Sequence, residues 1–339
     1  MIIKRYLCSL FLFLSVSFAL WSQPPFVSDH LGPRFEQYTL HLPNDYEGPV
    51  DATLVRYKPE RPSKKAILYL HGFNDYFFQK EMAKTFDAHN IHFYALDMRK
   101  YGRSLLPHQY PFNTRNLNEY FAEIDSSLYY INQGNYEDII LMGHSTGGLI
   151  AATYAYAREA THPVDALILN SPFLDMHQSW LHENVLIPIV AWIGKYFPNI
   201  KIPQGESTVY AESLLKQHHG EWEYNTEWKK MISPPLTSGW ISAIYYAQKA
   251  IRNKLNLDIP ILVLHSDKSG EGEQWSDLFL QADIVLDVND IKKYTPYLGE
   301  RAKAVTIEGG VHDLILSEEK ARTNTYDEIF RFINEVFPK

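Results

Sequence analysis

The chain has 339 residues, 45% of them hydrophobic and 14% aromatic, which excludes a disordered chain and allows one large core or a core with a smaller appended domain. Its formal charge of −8 excludes nucleic acid as a natural partner and gives no attraction to an anionic lipid surface, so any lipid contact has to be apolar. The single cysteine, Cys8, excludes a disulfide framework and a thiolate metal site.

In chain order, residues 1–22 read as a secretory signal peptide. Lys4 and Arg5 precede an apolar run from Tyr6 to Trp21, broken only by Ser9, Ser15 and Ser17, and Ser22, Gln23, Pro24 and Pro25 follow. The run is shorter than the roughly 18 residues a spanning helix needs, so cleavage and export (secreted or periplasmic) are expected over an uncleaved membrane anchor. Cys8 does not follow the run, so it is badly placed for lipid attachment and leaves with the signal. Loss of Lys4 and Arg5 deepens the charge of the mature chain from −8 to −10.

Segments 35–42 and 52–57 alternate apolar and polar residues and predict an antiparallel hairpin. Continuous apolar runs then recur at 65–70, 91–96, 139–142, 166–169, 261–264 and 304–307, with helices expected near 78–89, 117–132, 148–160 and 326–336. Such alternation predicts an α/β fold, a mostly parallel sheet covered on both faces by helices. It stops between Leu174 and about Leu257, an interval holding Trp180, Trp192, Trp222, Trp228 and Trp240 with several prolines and no convincing strand. An inserted helical cap is expected over 174–256, dividing the core into 23–173 and 257–339. The first cap helix, from Val185 to Ile193, is apolar on every face and is expected to be buried, the alternative being a surface offered to lipid or an acyl chain. The second, near 238–254, carries Trp240, Ile244, Ala247 and Ile251 on one stripe, which core packing explains.

The chemistry concentrates where the strand at 138–142 runs into Gly143, His144, Ser145, Thr146 and Gly147 and then into the apolar start of a helix. In so sharp a strand-to-helix turn the glycines leave room for backbone, and the serine is pushed out at the top of the sheet with the positive helix end beneath it. Ser145 is the candidate nucleophile. A serine hydroxyl needs a base, an acid that orients the base, and donors for the oxyanion. His312, in a loop just after the last expected strand, is the candidate base.

Taken together, the segment Tyr69 to Phe73, the segment Asp97 to Ser104, the glycine-flanked serine, Ala282 with Asp283, and Gly310 with His312 resemble the α/β-hydrolase superfamily. The resemblance is to its monoacylglycerol lipase and lysophospholipase branch, whose domain is also described as serine aminopeptidase-like. The segments run in the right order from about residue 65 to 315. The resemblance implies an α/β-hydrolase fold and an oxyanion hole made by the backbone N–H groups of Phe73 and Thr146; it leaves the Asp97 to Ser104 segment a structural turn. Each oxyanion donor contributes on the order of 3–4 kcal/mol.

The acid departs from that pattern. The family places an aspartate four residues after the residue closing the penultimate strand; after His265 this chain has Ser269 there, which cannot carry the charge that stabilises an imidazolium. Ser269 to Ala282 therefore reads as an insertion that displaces the acid to Asp283, with Asp267 and Asp287 as alternatives and a helix expected over 288–298.

No metal or organic cofactor is expected. His218, His219, Glu221 and Glu223 match no defined metal geometry, and Asp283, Asp287 and Asp290 lack the glycine and final glutamate of a calcium loop. The expected activity is that of an exported serine hydrolase cleaving carboxylic esters of small or lipid-like substrates, monoacylglycerols or lysophospholipids, through an acyl-enzyme. Two alternatives stand beside it. One is an aminopeptidase gripping a substrate ammonium with Glu206, Glu212, Glu221 or Glu227; the other is a catalytically silent binding protein on the same scaffold.

Overall fold

Runs of five or six apolar residues are too short for helices, and being apolar on both sides they need cover above and below, so they gather in one central sheet. The computed structural model describes residues 26–176, 185–272 and 274–338; the expected signal segment and Trp180 lie outside the described residues. Nine strands lie side by side in the order β1 (Val27–Ser28), β2 (Phe35–Asp45), β3 (Gly48–Tyr57), β5 (Ile91–Asp97), β4 (Lys65–Leu70), β6 (Asp138–His144), β7 (Ala166–Asn170), β10 (Ile261–Ser266) and β11 (Ala302–Ile307). From β5 to β11 all pairs are parallel, whereas β1, β2 and β3 join antiparallel at one edge. The expected hairpin is present, with Phe35 opposite Tyr57 and Leu40 opposite Ala52.

Successive residues of each strand feed opposite layers. Leu68, Leu70, Leu141 and Leu169 pack on one face with α2 (Phe121–Asn132) and α3 (Thr146–Ala157), while Ile67, Tyr69, Ile140 and Leu264 pack on the other with α1 (Lys80–Ala88) and α8 (Glu319–Val336). Each fully buried Leu or Ile contributes about 1.5–3 kcal/mol, so the core is carried by these two layers. Because β4 pairs with β5 on one side and β6 on the other, the connections leaving β4 and β6 part at its carboxyl end. That switch point is where open α/β sheets form a crevice, and Phe73 and Ser145 follow those two strands.

No strand of the main sheet lies between β7 and β10 among the described residues. That interval carries α4 (Ile187–Tyr196), α5 (Val209–Leu214), α6 (Ser238–Arg252) and a short ribbon of β8 (Lys201–Ile202) with β9 (Leu236–Thr237). Helix α6 buries Trp240, Ile244, Ala247 and Ile251 as its stripe predicts. Helix α4 corrects the expectation of a buried helix: it buries only Ala191 and Gly194, and Trp192, Tyr196 and the following Phe197 are 59%, 60% and 66% exposed. The cause is steric. A Cβ on Gly194 would run into the Ser238 carbonyl, so α4 meets α6 through its smallest residues and turns its large ones outward. Gly194→Ala is therefore expected to destabilise the protein by about 1–2 kcal/mol in denaturant unfolding. Overpacking against a backbone carbonyl outweighs the ~1 kcal/mol that alanine gains in a helix. No described helix is long and apolar enough to cross a membrane.

Candidate active site

Strand β6 ends at His144 and α3 begins at Thr146, so the whole reversal falls on Ser145, which takes φ 53° and ψ −119°. A non-glycine residue held there stores about 1–3 kcal/mol of strain and persists only when its surroundings fix it. Here the Ser145 N–H donates to the Asn170 carbonyl at 3.0 Å, and the Ser145 carbonyl accepts from the N–H groups of Gly148 and Phe173 at 2.9 and 3.0 Å. Two glycines are obligatory: a Cβ on Gly143 would collide with the Gly147 carbonyl, and one on Gly147 with the His71 carbonyl. Gly72 passes so close that a Cβ would lie 3.2 Å from that of Ser145. Thr146 opens α3, so its N–H is one of the helix donors without an intrahelical partner. Phe73, Ser145 and His312 line one cavity of about 340 Å³ between sheet and cap.

The loop after β11 carries His312 and is pinned at three points. The Gly309 N–H donates to Asp267 Oδ1 at 2.8 Å, Ser266 Oγ to the Gly310 carbonyl at 2.6 Å, and the Val311 N–H to Ser317 Oγ at 2.9 Å. His312 Nδ1 donates to Asp283 Oδ2 at 2.9 Å, and Asp283 Oδ1 accepts from the Val285 and Leu286 N–H groups at 2.9 and 2.8 Å. Both side chains are almost wholly buried. The alternatives are engaged elsewhere: Asp267 anchors the histidine loop, and Asp287 caps α7 (Val288–Tyr294) by accepting from the Asn289 N–H.

The chain reaches this arrangement by an excursion. It leaves at Ser269 and returns at Asp283, and the two residues pair as a parallel bridge. Asp283 N–H donates to the Lys268 carbonyl at 3.0 Å, and Gly270 N–H to the Asp283 carbonyl at 2.8 Å. Among the described residues between them, Trp275 stacks on His219 of the cap at 3.6 Å and Phe279 is buried. Ser269 itself accepts from the Val288 N–H at 3.0 Å, tying α7 to the same junction.

Residues outside the proposed catalytic set support this core. Asp97 does hold a structural turn, its carboxylate accepting from the Phe77 N–H and from Arg103. Asn170 supports both sides of the site: its carbonyl takes the Ser145 N–H and His144 Nδ1, and its side-chain amide donates to Asp313 Oδ1 at 2.7 Å. Only their positions at strand ends could have signalled them. Asp75, His144 and Asp313 each offer a ligand atom within 4.8 Å of the others. A cation has little claim there, since Lys229 already pairs with Asp75 at 3.1 Å and amides satisfy Asp313. Of the cap residues weighed as metal ligands, Glu221 pairs with Arg322 and Glu223 with Lys216.

Burial holds His71, His144 and His265 below their usual value of 6.5. The hydrogen bonds agree for His71: Nδ1 donates to the Gly72 carbonyl and Nε2 accepts from the Met98 N–H, so the ring is neutral. The unfolded chain takes up protons near pH 6.5 where these folded rings do not. Their contribution is thus intact above that pH and erodes as pH falls from there toward the lowered folded values. Thermal unfolding should show Tm level above about pH 7 and falling by a few degrees toward about pH 5.5.

Residues 61–270 match the family described as serine aminopeptidase, S33. The chain belongs to that family. It is a hydrolase of the α/β-hydrolase superfamily, and the match ends at Gly270, where the excursion begins. No curated protein matches it. Among solved structures, a soluble variant of monoglyceride lipase from Saccharomyces cerevisiae, in complex with a substrate analog, is 15% identical. It covers 88% of this chain and 96% of its own, with a TM-score of 0.66. The monoacylglycerol lipase of Paleococcus ferrophilus is 16% identical over 83% and 98% with a TM-score of 0.61. Est1E from Butyrivibrio proteoclasticus with ferulic acid bound is 16% identical over 88% and 100% with a TM-score of 0.56. At such identities the likeness establishes the fold alone.

Proposed function

We propose that this S33 family member is a serine hydrolase that cleaves carboxylic esters through an acyl-enzyme, using the side chains of Ser145, His312 and Asp283 and two main-chain donors. The observation that carries the reading is the buried His312–Asp283 hydrogen bond at 2.9 Å opening onto the cavity that Ser145 also lines. Ser145 Oγ attacks the ester carbonyl while His312 Nε2 takes its proton, and the oxyanion forms against the N–H groups of Phe73 and Thr146. Collapse expels the alcohol, which receives the proton from His312. Water, deprotonated by the same nitrogen, then attacks the acyl-serine, releasing the acid and restoring Ser145. Asp283 keeps the Nδ1 proton in place throughout. Fluorophosphonate labelling tests the reading: a peptide modified at Ser145 is expected, and an unlabelled chain would favour the silent binding protein instead.

Several observations favour an ester over a peptide amino terminus. Glu206, Glu212, Glu221 and Glu227 do not line the cavity; Glu212 accepts from Thr208 Oγ1 at 2.6 Å, and Glu227 faces Lys230 at 3.7 Å. Small or lipid-like esters suit the apolar walls supplied by Phe73, Met231 and Val285. The outward face of α4 and the turn after it offers the aromatic surface a transient lipid contact needs. Export rests on the residues before position 23, and the amino-terminal sequence of the secreted protein tests it.

A further inference from the structure

Two lysines, Lys229 and Lys230, line the cavity beside Ser145, and no carboxylate lines it among the described residues. An ammonium is costly to bury, and the Lys229 side chain is only 6% exposed. Its counter-ion, Asp75, stands behind the wall, 3.1 Å from Nζ and outside the cavity. A buried ion pair adds little stability over an apolar pair of like volume, so stability does not account for a lysine here.

The placement of this segment is tight. Asn74, next to Phe73 and itself at φ 48°, donates through Nδ2 to the Lys230 carbonyl at 2.7 Å and accepts the Lys230 N–H through Oδ1 at 2.9 Å. Asn74 and Asp75 therefore fix both lysines to the loop expected to supply an oxyanion donor. Tyr210 and Tyr224 flank the Lys229 ammonium, their ring centres 5.5 and 5.7 Å away. Among the described residues Lys230 Nζ has one loose ionic contact, 3.7 Å to Glu227, a residue 85% exposed, and a ligand anion exchanges readily with such a partner. The amino end of α3 adds positive potential from below. A neutral monoester answers none of this charge.

We propose that the site selects esters that carry a second, negatively charged group, a carboxylate or a phosphate, which Lys229 and Lys230 hold beside Ser145. The inference rests on the serine hydrolase reading and adds the charge of the substrate to it.

Two matched pairs of probes distinguish the sources. The p-nitrophenyl monoester of glutaric acid against p-nitrophenyl valerate places the anion on the acyl side. A short-chain lysophosphatidate against the monoacylglycerol of the same chain, both below micelle formation, places it on the alcohol side. One anionic probe is expected to exceed its neutral partner roughly tenfold or more in kcat/KM, and the preference to shrink as salt rises from about 50 to about 500 mM. Lys230→Gln should reduce the preference roughly threefold or more, since it removes a charge while the main-chain clamp to Asn74 remains. Lys229→Met should reduce it further where the variant folds with Asp75 left unpaired. Equal or better turnover of both neutral probes, insensitive to salt and to Lys230→Gln, overturns the proposal and leaves the hydrolase reading standing. Failure of fluorophosphonate to label Ser145, with no probe turned over, overturns both.

Discussion

Ser145→Ala is expected to lower turnover of an acyl ester roughly 10⁴- to 10⁶-fold while the thermal unfolding midpoint stays level or rises. Loss is this large because in the proposed mechanism the serine, the histidine and the acid act as a unit, and a methyl group offers the imidazole nothing to deprotonate. The fold tolerates the change because the main-chain bonds that hold residue 145, to Asn170, Gly148 and Phe173, do not involve its side chain. Steady-state kinetics beside a melting curve checks both halves. Retention of more than about a hundredth of the activity would remove Ser145 from the nucleophile's role.

Asp283→Asn is expected to cost on the order of 10⁴ in kcat, and the local geometry says why. Two N–H groups, of Val285 and Leu286, claim Oδ1. An asparagine would therefore keep its oxygen on them and turn its amide nitrogen, a donor, toward His312 Nδ1. That nitrogen must then accept, the ring proton moves to Nε2, and the atom facing the cavity no longer takes a proton from serine. The parallel variants Asp267→Asn and Asp287→Asn should keep activity within about threefold, because one supports a loop amide and the other a helix cap that asparagine also makes. Full activity in Asp283→Asn would reassign the acid.

Much of the fold is legible in the sequence because the parallel strands are apolar on both faces and bounded by turns. The helix ends are less so: α8 begins at Glu319 rather than near 326, since its first turns show mostly polar and charged residues and bury only Ala321 and Thr325. For helix α4, hydrophobicity alone predicts burial and cannot tell that Gly194 and Ala191 decide the contact. Around the site, Ser145 and His312 are marked by local motifs. Lys229, Asn74 and Asp75 are not, because their meeting joins the cap to a loop more than 150 residues earlier and leaves no spacing to read.

The bridge between Ser269 and Asp283 makes the distance along the chain from strand to the proposed acid a free parameter. The excursion closes on itself at its base, so its length can drift without moving the carboxylate. A profile that counts positions from the strand end would score this chain as having lost its acid and file it with inactive homologues. A comparison that follows pairing partners would not, and other chains set aside on the same count merit a second inspection for a carboxylate restored from further along.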